Sequence, residues 1–222
     1  MKKYLLHLFA IILIFPNSFG QIVDRYGINI GTSIATQLWD YNASLYSQDN
    51  EYKIGLMAFA SAESDITGLL SLRAEFGFIQ KGFKNNLTLT FPDGTPATIE
   101  NDNVNLNELA LNLGVRIHPF NLAFSPYLLI GCRGEYLISY KDVTLEEQAS
   151  GVKLNLYEAQ LKDFKKTNFG GLVGLGLDIG ELLYIEFEYN PNFTKNLDEE
   201  YLSIKDRSWG VKLGLNINSL VK

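Results

Sequence analysis

The chain has 222 residues, with 19 Lys and Arg against 25 Asp and Glu for a formal charge of −6, and 13% of its residues are aromatic. That acidic balance argues against nucleic acid or anionic lipid as a partner through bulk electrostatics, and Cys132, the single cysteine, excludes an internal disulfide. Past the first 20 residues no apolar run reaches the ~18 needed for a spanning helix, so any membrane crossing there is made by strands.

The N-terminus has the order of a secretory signal. Lys2 and Lys3 precede an apolar run from Tyr4 to Phe15, broken only by His7, then Pro16 and Asn17, with the small residues Ser18 and Gly20 before Gln21. The expectation is a cleaved leader over 1–20 and one domain over 21–222. The apolar run is shorter than the ~20 residues of a membrane anchor.

Alternation of period two then predicts eight strands. They are Tyr26–Thr36, Tyr52–Ala62, Leu70–Lys81, Val104–His118, Tyr127–Tyr140, Thr167–Ile179, Leu182–Asn190 and Arg207–Asn218. The fourth is the plainest: Leu109, Leu111, Leu113, Val115 and Ile117 oppose Glu108, Ala110, Asn112, Gly114 and Arg116. The connections alternate long and short. The long ones are 37–51, 82–103, 141–166 and 191–206, and the short ones fall at 63–69, 119–126 and 180–181. Long loops at one end and tight turns at the other are the habit of outer-membrane barrels, with the long loops outside. The fold class expected is an all-β, eight-stranded, antiparallel up-and-down transmembrane barrel in the cell outer membrane.

Alternation alone leaves open which face is inside. A soluble lipocalin-like lipid carrier would turn the apolar face inward, a membrane barrel outward. Two features favour the membrane. The strands match the ~9–11 tilted residues that cross a bilayer. The polar face is rich in glycine (Gly27, Gly31, Gly77, Gly114, Gly131, Gly170, Gly174, Gly176, Gly210 and Gly214). A narrow interior has use for small residues, whereas a solvent-facing strand gains nothing from them. Aromatics near strand ends, including Tyr26, Trp39, Tyr41, Phe78, Phe83, Phe120, Phe124, Tyr127, Tyr140, Phe169, Tyr189, Phe193 and Trp209, are read as interfacial girdles.

With that face inside, Arg73, Glu75, Glu108, Arg116, Arg133, Glu135, Glu186, Glu188 and Lys212 line the lumen as a nearly balanced charge network. Charges in so narrow an interior must pair across strands, which predicts a structural plug; the alternative is a narrow pore. No catalytic, cofactor or metal site is predicted. His118, the one histidine beyond the leader, precedes Pro119 at a short turn; Cys132 falls on the apolar face without an adjacent base. The expected partners are outer-membrane lipid and, through the loops 37–51, 82–103, 141–166 and 191–206, other envelope proteins. Residues 91–96 (FPDGTP) predict a hairpin tip and Leu154–Phe164 a short amphipathic helix.

The segments YGINIGTS, LRAEFGFIQKGFK, LNELALNLGVRIHP, PYLLIGCRGEYLIS, FGGLVGLGLDI and LYIEFEYN occur in that order. Together they make the stretch after the leader resemble the PorT-like outer-membrane β-barrel family of Gram-negative bacteria. The resemblance implies an eight-stranded barrel, most members having no assigned activity. It also brings a possible place in a transport or secretion system, since the family takes its name from a member linked to secretion; fold alone does not transfer that role. The chain departs from the common outer-membrane pattern by ending NINSLVK, without a terminal aromatic.

Overall fold

The computed structural model describes residues 23–41, 47–85, 98–120, 124–146 and 153–218; the leader 1–20 and the expected hairpin tip at 91–96 lie outside them. The alternating segments form eight long strands: β1 (Arg25–Asp40), β2 (Lys53–Thr67), β3 (Leu70–Lys84), β4 (Asn103–Ile117), β5 (Phe124–Lys141), β6 (Thr167–Ile179), β7 (Leu183–Pro191) and β8 (Ser203–Asn216). Each pairs antiparallel with its neighbour in sequence, and β1 pairs with β8 from Gly27↔Asn216 to Asp40↔Ser203, closing the sheet into a barrel. Closure leaves no open edge among these strands, a condition for backbone in hydrocarbon.

Several strands run further than the alternation suggested. β2 continues to Thr67, so the expected turn over 63–69 shrinks to Gly68 and Leu69, whose amide donates to Thr67 Oγ1 at 3.3 Å. Glu63 and Asp65, which suggest a turn by composition, are ladder residues that hold Arg25 at 2.7 and 2.5 Å. β8 begins at Ser203 rather than Arg207, and β1 and β3 reach Asp40 and Lys84, inside the loops expected at 191–206, 37–51 and 82–103. At the other tight turn Gly180 adopts φ +64, a left-handed conformation that glycine takes without penalty.

The two faces of the wall differ sharply. Ile54 (71% exposed), Leu56 (67%) and Leu175 (63%) stand on the outer face with many other large apolar side chains, whereas arginines, lysines and carboxylates fill the inside. An apolar surface of this extent belongs in lipid, which sets aside the lipocalin-like alternative. The girdle holds in part. Phe120 and Phe124 at the short-turn end and Tyr140, Phe169 and Phe193 at the long-loop end are exposed, while Trp39, Phe83 and Tyr127 are buried inside. Parity explains the correction: Tyr127 shares the face of Arg133, and Trp39 and Phe83 follow Gln37 and Lys81 inward once β1 and β3 are extended.

The loop at 141–166 is not simply a solvated arm. Short strands Thr144–Glu146 and Lys153–Asn155 pair with each other, and the first also pairs with Thr98–Asn101. A helix, α1 (Glu158–Lys162), covers part of the stretch expected to be helical and buries Leu161.

Candidate functional site

The lumen is the candidate site, and it is filled in layers. At the short-turn end Arg116 donates from Nη1 to Glu63 Oε2 and from Nη2 to Asp178 Oδ1, both at 2.6 Å. Its guanidinium lies 3.6 Å from the centre of the Tyr127 ring. Glu63 also accepts from Ser71 Oγ at 2.6 Å, and His118 Nδ1 stands 3.5 Å from Asp178 Oδ2. His118 is a neighbour of this ion cluster, its Nε2 4.0 Å from Glu63 Oε1.

One layer up, Arg73 pairs with Glu75 and reaches Glu186 Oε2 at 2.8 Å and Tyr184 Oη at 2.7 Å. Tyr127 donates its hydroxyl to the same Glu186 oxygen at 2.8 Å, and Tyr184 donates to Asn29. These two rings explain two of the lumen glycines. A Cβ on Gly176 would lie 2.0 Å from Tyr127 Cζ, and one on Gly214 would lie 2.0 Å from Tyr184 Cζ.

Lys212 occupies the middle. Its ammonium lies 2.7 Å from Glu186 Oε1, 2.7 Å from Glu188 Oε2 and 3.0 Å from Glu75 Oε2. Arg133 donates from Nη2 to Glu188 Oε1 and from Nε to Asn112 Oδ1, both at 2.7 Å, and Asn112 in turn donates to Glu75 Oε2 at 2.7 Å. Nearer the outer end, Lys81 meets Glu108, Glu135 and Asp206 at 3.0, 2.7 and 3.2 Å. Gln37 and Asn196 also donate to Asp206, at 2.8 and 2.9 Å.

Above Lys81 the chemistry changes. Trp39, Phe83, Val104, Leu106, Leu137 and Ile204 from the wall enclose Val143, Leu145, Tyr157, Leu161, Phe164 and Leu197 from the outer segments. The rings of Trp39, Phe83 and Tyr157 pack edge to face, with centroids 5.2–5.7 Å apart. Asp142 fastens this lid by accepting from the Val143 amide at 2.6 Å and the Tyr157 amide at 2.9 Å. Burial raises the Asp142 carboxyl above its usual range. Burial, with Asp142 nearby, pushes the Tyr157 hydroxyl up to about 12, so it stays a neutral donor to Asn85 Oδ1 at 2.7 Å.

All nine charged residues singled out in the sequence lie on the inner face, none more than 3% exposed. The structure joins most of them in one network but divides the Arg133-x-Glu135 pair, Arg133 going to Glu188 and Glu135 to Lys81. It adds members the sequence reading left out: Lys81, Glu63, Asp178, Asp206, Tyr127 and Tyr184. With them the carboxylates keep a small excess. Six buried cations, Lys53 included, stand among eight buried lumen carboxylates. Cys132 is exposed on the outer face.

A closed antiparallel barrel with an apolar outer wall, a charge-filled lumen and its long connections at one end defines an eight-stranded outer-membrane β-barrel protein. The chain belongs to the outer membrane protein beta-barrel domain family, whose model matches residues 20–216. Among solved structures it is similar to Ail, the attachment invasion locus protein of Yersinia pestis, at 14% identity over 86% of this chain and 97% of that one, with a TM-score of 0.42. It is also similar to Neisserial surface protein A (NspA), at 12% identity over 86% and 96% of the two chains, TM-score 0.45. OprG from Pseudomonas aeruginosa matches at 10% identity over 88% and 96%, TM-score 0.45. None of the curated proteins matches the sequence.

Proposed function

We propose that this protein is a closed barrel that acts at its outer surface rather than through its lumen, with a structural or recognition role carried by its long loops. The observation that supports this reading is the filling of the lumen from end to end, with ion layers below and a folded-in apolar lid above Lys81. An eight-stranded interior has room only for packed side chains. The reading assigns no catalytic step, because each charged lumen group named above is held by fixed partners. Purified protein in planar bilayers should give no stable unitary current. Stable currents that disappear when Arg73 and Arg133 are neutralised would instead establish a narrow pore.

A finer reading follows from the PorT-like order of segments: a component of an envelope transport or secretion system, whose outer loops meet other envelope proteins. In-cell cross-linking from Lys153 and Lys162, both exposed in the outer loop, tests it. Reproducible capture of an envelope protein supports it, and capture of lipid alone counts against it. Export by a cleaved leader belongs to the same reading, with Gln21 as the expected first residue of the mature protein.

A further inference from the structure

The surplus carboxylates of the lumen fall in one layer. In the middle layer three cations, Arg73, Arg133 and Lys212, meet three carboxylates, Glu75, Glu186 and Glu188. At the short-turn end Arg116 and Arg25 meet Glu63 and Asp178. In the outermost ion layer a single ammonium, that of Lys81 on β3, meets Glu108 of β4, Glu135 of β5 and Asp206 of β8, and none of the four residues is more than 3% exposed.

The other inner residues near this height are uncharged or engaged elsewhere. Gln37 of β1 and Asn196 donate to Asp206, Asn168 of β6 stands opposite Glu135, and Asn190 of β7 donates to Glu188. Arg133, two residues below Glu135, is held by Glu188 and Asn112, and Lys53 of β2 meets Gln80. Asp206 therefore has Lys81, Gln37 and Asn196 around its carboxylate. Glu108 and Glu135 share the same ammonium without such help, and Glu135 Oε1 accepts no hydrogen bond among the described residues. The two are diagonal neighbours on adjacent strands, Glu108 lying opposite Leu137 and Glu135 opposite Ala110. Like charges so placed in a dry interior are relieved when one of them takes a proton.

Directly above this layer is the floor of the lid. The next inner residue outward on each strand is apolar: Phe83 above Lys81, Leu106 above Glu108, Leu137 above Glu135, Ile204 above Asp206 and Trp39 above Gln37. Water that reaches the layer from outside must pass through that packing.

We propose that Glu108 and Glu135 hold one proton between them, and that its loss to water loosens the lid and makes the outer surface of the barrel sensitive to pH. With the proton bound, the layer keeps one uncompensated negative charge; without it, two, and the second is relieved only by hydration through the lid. The closed state binds the proton more tightly than the hydrated open state, so closure is favoured on the acidic side and is lost as pH rises. The inference rests on the closed-lumen reading, which the planar-bilayer measurement tests on its own.

The test uses the full mature protein in lipid vesicles and compares wild type with Glu108→Gln by infrared difference spectroscopy. Wild type should show a protonated-carboxyl stretch between about pH 6 and 7, where an ordinary glutamic acid, near 4.3, is almost fully ionised. The band should be missing from Glu108→Gln, and Asp142→Asn should leave this difference unchanged. Acrylamide quenching of Trp39, in a Trp209→Phe background, then reads the lid. From about pH 4.3 to the midpoint of the band, its opening equilibrium should rise by up to about tenfold per pH unit more than in Glu108→Gln. Asp142 contributes equally to both proteins, so the difference isolates this proton. Glu108→Gln should keep the heat-modifiable gel mobility of a folded barrel; if it does not, Glu135→Gln replaces it with the same expected outcomes. Absence of a difference band above about pH 6 overturns the proposal, since the pair then titrates as ordinary carboxyls. So does the same pH dependence of quenching with and without Glu108, which would leave a proton site that does not act on the lid.

Discussion

Lys212 is the position where the closed lumen can be tested most severely. Its ammonium, on a residue 1% exposed, is shared by Glu75, Glu186 and Glu188 at 2.7–3.0 Å. Replacing it with Met keeps much of the side-chain volume and leaves three buried carboxylates with Arg73 and Arg133 as the cations that pair with them, beside the neutral donors Tyr127, Asn29, Asn112 and Asn190. Breaking a buried ion pair by removing one partner costs about 3–5 kcal/mol, because the remaining charge stays desolvated. Against a total stability of roughly 5–15 kcal/mol that is a large fraction. At an m-value of about 2 kcal/mol/M, the urea midpoint should fall by about 2 M. Unfolding in lipid vesicles, followed by gel mobility and tryptophan emission, measures it. Lys53→Met is the control: Lys53 is also buried, but its ammonium meets the neutral Gln80 Oε1 at 3.2 Å, so about 1 kcal/mol or less is expected. Adding Glu188→Gln to Lys212→Met should recover about 0.5–3 kcal/mol as a coupling energy. If Lys212→Met costs no more than Lys53→Met, water reaches these carboxylates and the lumen is not plugged.

Gly176→Ala and Gly214→Ala should each lower thermal stability by about 1–3 kcal/mol through overlap with the Tyr127 and Tyr184 rings. Gly68→Ala, with nothing within 4 Å, should stay within about 0.5 kcal/mol. Asp142→Ala removes the acceptor of the Val143 and Tyr157 amides and should weaken the lid by about 1–3 kcal/mol, read as greater acrylamide quenching of Trp39 in a Trp209→Phe background. Because burial raises the Asp142 carboxyl above its ordinary 3.8, the closed lid binds more protons than the open one across the window above that value. The lid should therefore be firmest at the acidic side of that window and loosen as pH rises through it. Asp142→Asn should flatten the dependence; a lid that firms as pH rises would refute the assignment.

Strand number, orientation and the inward face were legible because an eight-stranded wall imposes the same two-residue period on every strand. In β4 and β6 large apolar residues alternate with glycine, asparagine or charge, and the inner face followed directly. The misses share a cause: where alternation carries an inner polar residue past the apolar stretch, composition suggests loop. Glu63 and Asp206 were assigned to connections for that reason. Lys81 was recoverable from parity, two steps beyond Ile79, and Tyr127 from its step before Leu128. Partners across the lumen were not recoverable. Arg73 and Glu186 are 113 residues apart and meet because of the register around the barrel, which no local pattern encodes. The lid was hidden for a different reason. Val143, Leu145, Tyr157, Leu161 and Phe164 are scattered through a mixed-charge segment without a strand period, and only α1 left an amphipathic trace.

Two chemistries close the two parts of the lumen, and they respond differently to force. The ion layers tie opposite walls together. Lys212 joins carboxylates on β3 and β7, and Arg116 joins β2 to β6, so separating one pair strands a charge in a medium that solvates it poorly. Such a network has no cheap partial opening. The lid is held by apolar packing, by the Asp142 carboxylate and by neutral hydrogen bonds such as Tyr157 to Asn85, on a segment containing a five-residue helix. Local opening there costs contacts but strands no ion, and such segments lie at the low end of local stability. Directly beneath it one lysine serves three carboxylates, the layer with most to gain from water. Movement in this barrel should therefore begin at the lid and stop at Lys81, which confines any change of state to the surface that faces outward.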